Sequence, residues 1–172
     1  MIVPIIKYGS PLLRKHSIDI TGEDNPIQLS QNLLDTLKKA GGIGLAAPQM
    51  GILKRAFVID TSPLSEEDNN IEKIEKAFFN PEITWRSEDK IYYSEGCLSI
   101  PDIFEDILRP QKIRVKYFDA NLNIIEDEFD GLIARIFQHE YDHLDGILFI
   151  DKLNPLKRRL LNGKLNKIKK SN

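Results

Sequence analysis

The sequence predicts an α+β fold, with mixed or antiparallel strands packed around a central helix and a further helix at the C-terminal end. Three observations point there. Strand-like runs such as RAFVID and KIRVKYF crowd the middle of the chain, helical spacing of apolar residues marks its two ends, and the two kinds of segment do not alternate as a parallel α/β sheet requires. The chain has 172 residues, 41% of them hydrophobic, which is enough for one core and one domain. Residues 152–172 are expected to form a basic helix belonging to that same domain.

The elements follow in order. Pro26 to Lys39 (PIQLSQNLLDTLKK) spaces Ile27, Leu29, Leu33, Leu34 and Leu37 near one helical face, with Lys38 and Lys39 in the closing turn and Gly41 and Gly42 as the stop. GIGLAAPQMG reads as a glycine-rich loop and RAFVID as a strand. Asp60 to Lys76 is polar and acidic, which predicts an exposed loop. KAFFNPEITW and KIYYSEGCLSI read as strand material broken by Pro81 and by a turn over Ser87 to Lys90. KIRVKYF and NIIEDEF flank a turn at Asp119 to Asn123 and predict a hairpin. Gly131 to Leu144 returns to helical spacing, with Leu132, Ile133, Ile136 and Phe137 apolar. Beyond Asp151, Leu153, Leu156, Leu160, Leu161, Leu165 and Ile168 define the apolar side of a second amphipathic helix.

The formal net charge of -2 conceals an asymmetry, because eight basic residues and no acidic one follow Asp151. The tail is electrostatically distinct from the body. The N-terminal segment has no basic run and its apolar stretch is broken by Pro4, so no secretory signal is expected, and nothing approaches the roughly 18 apolar residues of a membrane span. Neither a membrane nor DNA is expected as a partner. The single cysteine, Cys97, excludes an intrachain disulfide and fits a reducing cytoplasm.

Two of the three histidines stand in QHEYDH, four positions apart around a glutamate. On a helix such residues lie about 40° apart around the axis and roughly 6 Å along it, so His139 and His143 can face one ion with Glu140 beside them. Neutral imidazoles bind zinc, iron or nickel, and a carboxylate outside the coordination shell can take a proton from water. The helix is therefore read as metal-binding. A third ligand is needed if a coordination position is to stay open; no histidine or glutamate follows His143, only Asp145 and Asp151, while His16, several carboxylates and Cys97 precede it. Cys97 offers a soft sulfur next to Gly96, although a lone cysteine is more often simply buried.

GIGLAAPQ (Gly42 to Gln49), EGCLS (Glu95 to Ser99) and QHEYDHLDG (Gln138 to Gly146), in this order, resemble the three signature segments of the peptide deformylases. The likeness extends through YGSPLLRK and LFIDKL and so covers nearly the whole chain. It implies a metal site of Cys97, His139 and His143 with the fourth position open to water; Fe(II) is the first candidate, and Zn, Ni or Co suit the same donors. It implies hydrolysis of the formyl group from the N-terminal formylmethionine of new polypeptides. Glu140 would act as proton carrier, and the Gln49 side-chain amide and the Leu98 N–H would stabilise the oxyanion.

The same likeness puts Ile43, Gly44, Arg135 and Ile136 at the substrate pocket. Arg135 departs from members with an apolar residue there, and its guanidinium is expected to stay in water while its stem lines the rim. Glu95 and Arg109 are expected to pair near the cysteine segment, and Gln138 and Asp142 to orient the imidazoles or the substrate loop. The basic tail is a candidate ribosome contact. Two other readings remain open on the sequence, an HExxH endopeptidase indifferent to Cys97 and a noncatalytic metal-binding module.

Overall fold

The structure is a computed structural model, and it describes residues 1–171; Asn172, the last residue of the expected tail helix, lies outside the described residues. The larger sheet is antiparallel, with strands in the order β1-β2-β3-β6-β7. These strands are β1 (Gly44–Ala46), β2 (Ala56–Asp60), β3 (Glu75–Arg86), β6 (Lys112–Phe118) and β7 (Ile124–Asp130). A separate antiparallel pair joins β4 (Lys90–Cys97) to β5 (Ile100–Pro110). The helices are α1 (Pro26–Ala40), α2 (Ser62–Glu67), α3 (Gly131–Leu144), α4 (Pro155–Leu160) and α5 (Asn162–Lys170).

Ala56 to Ile59 of RAFVID are apolar without a break because β2 is covered on both faces. Phe57 and Ile59 enter a cluster with Phe78, Tyr117 and Phe137, where α3 packs. Ala56 and Val58 point the other way, against Leu29, Leu33 and Leu37 of α1. The alternation of side chains along a strand sends neighbours to opposite faces, so one five-residue strand separates two cores. In the first, the Phe137 ring meets Phe57 and Phe78 edge-on at 5.0 and 5.1 Å between centroids, a favoured aromatic geometry.

α1 spans nearly the range its spacing predicts. The Asn25 side chain accepts from the Gln28 N–H at its start, and Gly41, at φ +71°, closes it by donating to Leu37 O. Ile27 is exposed, because the buried face is the stripe of Leu29, Leu33 and Leu37. α3 has the predicted limits, and the turn between β6 and β7 is held by the Asp119 carboxylate, which accepts from the N–H groups of Asn121 and Asn123.

Four segments differ from expectation. GIGLAAPQMG, read as a loop, supplies the short strand β1, which pairs with β2, and a turn of 3-10 helix after it. β3 continues through Pro81 by way of a bulge, and the Asn80 side chain spends its amide there on the backbone of Ile20. The polar stretch after Asp60 contains the short helix α2, started by the Asp60 carboxylate accepting from the Ser62 N–H. The tail is helical in two pieces: Leu161 and Leu165 bury themselves under the β4–β5 pair with Ile103, Ile107 and Phe149, and Leu156 and Leu160 are left exposed on α4.

The N-terminal segment is tied to the chain beyond α3 through Arg14. Its guanidinium pairs with the Asp151 carboxylate and donates to Gly146 O. Burial favours the neutral form of Asp151, but the Arg14 bond and the Leu148 N–H outweigh it and hold its pKa below the usual value. A depressed folded-state pKa contributes stability that is complete above the unfolded value, about 3.9, and lost as pH falls through the folded one. Asp151→Asn should therefore lower stability in urea melts at neutral pH, with the difference from wild type shrinking below about pH 4; a pH-independent difference would contradict this role.

Candidate metal centre

The site forms where the end of β4 meets the middle of α3. A bulge between Glu95 and Cys97 turns the strand so that Cys97 faces the helix. His139 and His143 stand one helical turn apart on α3, and the ligand atoms of Cys97, His139 and His143 all lie within 4.8 Å of one another. The Cys97 Sγ is 3.4 Å from the His143 Nε2. The Glu95 carboxylate, which can only accept, takes the Nδ1–H of His139 at 2.8 Å, leaving the Nε2 of that ring for a cation.

The donor set fits a divalent transition metal, since one sulfur and two imidazole nitrogens suit iron, zinc, nickel or cobalt. The electrostatics agree. Burial opposes a charge on His139, yet its bonds to Cys97 and Glu95 raise its pKa well above the ordinary value. Surroundings negative enough to hold a proton there also attract a metal cation. His143 is pushed the other way, well below its ordinary value, by burial and by the neighbouring cationic groups, so it presents a neutral ring.

A cavity of about 490 Å³ opens beside these ligands. Glu140 reaches into it fully buried, with no hydrogen-bond partner for its Oε2, and burial, reinforced by the charge of Glu95, raises its pKa to about 7. Gly44 faces it: a Cβ at Gly44 would collide with the Glu140 carboxylate, so this close approach requires glycine. The Gln49 Oε1 accepts from the Ala46 N–H, which turns its NH₂ toward Ser99 Oγ at 3.1 Å and Cys97 Sγ at 3.5 Å. Leu98, Ile43, Arg135 and Ile136 line the same cavity.

A polypeptide deformylase family model matches residues 2–159. The chain belongs to the peptide deformylase family. A peptide deformylase of Cytophaga hutchinsonii is 46% identical over 171 residues, covering 99% of this chain and 92% of that protein. The peptide deformylase of Christiangramia forsetii is 43% identical, covering 99% and 91%. The crystal structure of peptide deformylase from Thermus thermophilus matches with a TM-score of 0.89 at 37% identity, over 100% of both chains. Peptide deformylases are hydrolases, and a metal dependence belongs to the family.

Within this family frame, Arg135 corrects the expectation for its side chain. Its guanidinium is not in water: the residue is 5% exposed and donates to Glu95 Oε2, Ile107 O and Ile91 O, each at 2.7 Å. A buried carboxylate and two backbone carbonyls supply what solvent would have supplied. Of the two roles expected for Gln138 and Asp142, direct orientation of an imidazole is not observed, since neither bonds one. Gln138 donates to Pro110 O, and Asp142 accepts from Arg109 and Lys152. The imidazole is oriented by Glu95, which forms the expected pair with Arg109 through two bonds of 2.7 and 2.9 Å.

The alternative ligands fall outside the site. His16 is a surface residue beside Asp145, and Asp145 and Asp151 pair with Arg55 and Arg14. Two neighbours of the cavity went unread in the sequence, Lys7, which donates to Leu98 O, and Phe104, whose ring lies over Gly96. Their only sequence signal was a position near the recognised segments.

Glu95→Ala would leave the guanidinium groups of Arg109 and Arg135 buried without their shared anion. Breaking such a pair costs about 3–5 kcal/mol, so urea denaturation of this variant should show a loss of that order. A loss under about 1 kcal/mol, the range of an exposed ion pair, would contradict the account.

Proposed function

We propose that this chain removes the formyl group from the N-terminal formylmethionine of newly made polypeptides, releasing formate and a free amine. Cys97, His139 and His143 hold one divalent metal, with Fe(II) first among Fe, Zn, Ni and Co. The observation that carries the mechanism is Glu140, a buried carboxylate with an unpartnered oxygen in the cavity beside those three donors. A metal held there would supply Lewis acidity, lowering the pKa of a water in the site toward neutrality and polarising the formyl oxygen.

The chain's own groups supply the rest. Glu140, with a pKa near 7, takes a proton from the attacking water and delivers it to the leaving nitrogen, a role worth about 10² to 10⁴ in rate. The Gln49 NH₂, aimed by the Ala46 N–H, and the Leu98 N–H donate to the oxygen that gains charge. Ile43 and Ile136 wall the space for an unbranched methionine side chain, and the stem of Arg135 completes it. β1 is the terminal strand in the order of the larger sheet, so Gly44 to Ala46 offers an edge to an extended peptide backbone.

Such a reaction belongs in the cytoplasm, where formylated chains emerge, and the basic tail supports contact with the ribosome. Lys157, Arg159, Lys164, Lys167 and Lys170 are exposed on α4 and α5. Cosedimentation with ribosomes should weaken steeply as salt rises; no binding even at low salt would remove this partner.

The deciding experiment incubates formyl-Met-Ala-Ser with anaerobically purified protein and measures formate beside metal content. Formate release is expected in proportion to bound metal. Glu140→Gln should keep the metal and lose about 10² or more in kcat. Cleavage of internal peptide bonds, or full turnover in Glu140→Gln, would sink the reading.

A further inference from the structure

Cys97 belongs to the β4–β5 pair and both histidines to α3, so the three donors converge only when those two units dock in one register. The strand pair is a sheet of its own, without a ladder to the larger sheet, and Phe137 and Ile136 commit the apolar side of α3 to the core of that larger sheet. An apolar cluster with Phe149, Leu161 and Leu165 lies under the pair, while the hydrogen bonds that join it to α3 come from Glu95, Arg109 and Arg135.

Arg135 precedes His139 by four residues and shares its helical face. Its Nη1 donates to Ile107 O of β5 and to Glu95 Oε2, its Nη2 donates to Ile91 O of β4, and its guanidinium carbon is 5.8 Å from the centre of the Tyr93 ring. One helix-borne cation thus grips both strands of the pair and the carboxylate to which His139 donates. Arg109 makes a second tie, from β5 to Asp142, three residues after His139. The two ties bracket His139 along the helix. Without Arg135 the carbonyls of Ile91 and Ile107 lose their link to α3, and the reach from Cys97 to the imidazoles rests on the Arg109–Asp142 tie, the Glu95–His139 bond and the apolar cluster under the pair.

We infer that Arg135 is a positioning residue of the metal centre, fixing the reach from Cys97 to the two imidazoles, and is not simply a wall of the substrate pocket. An apolar side chain would wall the pocket without the cost of burying a charge, whereas the bonds of Arg135 to both strands and to Glu95 fix one register. This inference rests on the reading of Cys97, His139 and His143 as ligands.

The test loads wild type, Arg135→Met and Arg135→Lys with Co(II), then follows competition with a chelator, the Co(II) absorption bands, and kcat and KM for formyl-Met-Ala-Ser. Loss of a group bonded directly to a metal ligand typically costs about 10- to 100-fold in metal affinity, and Arg135, one bond further out through Glu95, falls at the lower end of that range. Arg135→Met should lose Co(II) affinity at that lower end and shift the bands, with kcat falling while KM moves by less than about threefold. Arg135→Lys, which keeps the charge without the fork, should recover part of the affinity.

Wild-type affinity and bands in a folded Arg135→Met, with a raised KM, would overturn the inference and leave Arg135 a wall. Should Arg135→Met fail to fold, Arg135→Lys decides by the same bands, and unshifted bands with wild-type affinity overturn it. Wild-type protein that binds Co(II) yet releases no formate would sink the deformylase reading, and the affinity and band measurements would still decide the case of Arg135.

Discussion

The Glu95 carboxylate is buried where an isolated charge would be costly, and all the acceptor capacity of its two oxygens is used. Oε2 accepts from Arg109 Nε and Arg135 Nη1; Oε1 accepts from Arg109 Nη2 and His139 Nδ1. Burial by itself would raise its pKa, but these bonds and the neighbouring positive charges hold it well below the usual carboxylate range. Because the carboxylate stays charged, the imidazole proton stays on Nδ1, and the other ring nitrogen stays available to a cation. The strand that presents Cys97 and the helix that presents the histidines are thereby joined by the same group that sets the direction of one ligand.

Two buried glutamates thus have opposite electrostatics a few residues from the same metal donors. Glu95 is matched by two guanidiniums and remains an anion. Glu140, one residue after His139, has an unpartnered oxygen, and its pKa rises to about 7. Pairs of titratable groups whose environments separate their pKa values mark divided roles. The fully bonded carboxylate cannot move without breaking four contacts, which suits orientation. The unpartnered one loses nothing by exchanging a proton, which suits transfer. Gly44 makes the second case possible, since any side chain there would occupy the space of the Glu140 carboxylate.

Local patterns made α1, α3, the β6–β7 hairpin and the HExxH spacing legible, because each is encoded within about fifteen residues by periodicity or turn chemistry; α2 and the break between α4 and α5 were not. The likeness of three short segments then brought Cys97 and Gln49 to the same site. β5 was not legible: Pro101, Asp102, Glu105 and Asp106 give IPDIFEDILRP the look of a loop, and only its pairing with β4 and the burial of Ile103 and Ile107 make it a strand. The buried state of Arg135 was illegible for a related reason. An arginine is expected in water unless a partner is known, and its partner Glu95 is 40 residues away in the chain. β3 passes through Pro81 because a bulge removes the ladder bond that proline cannot make, a solution visible only in three dimensions.

The tail enters the site's architecture from behind. Leu161 and Leu165 pack beneath the β4–β5 pair with Leu148, Phe149 and Ile150, and the Phe149 ring stacks on His139 at 5.9 Å. Beside the tail the N-terminal segment pins the cysteine turn, since Tyr8 N–H donates to Ser99 O and Lys7 to Leu98 O. Each tie holds backbone or ring, leaving the cavity side of Cys97 and His139 open. The leucines that support the site face inward while the lysines of α5 face out, so a charged partner can engage the outer side without displacing any group that sets the metal geometry. Buried leucine and exposed lysines are thus divided between two faces of α5, whose nine residues are long enough to carry both.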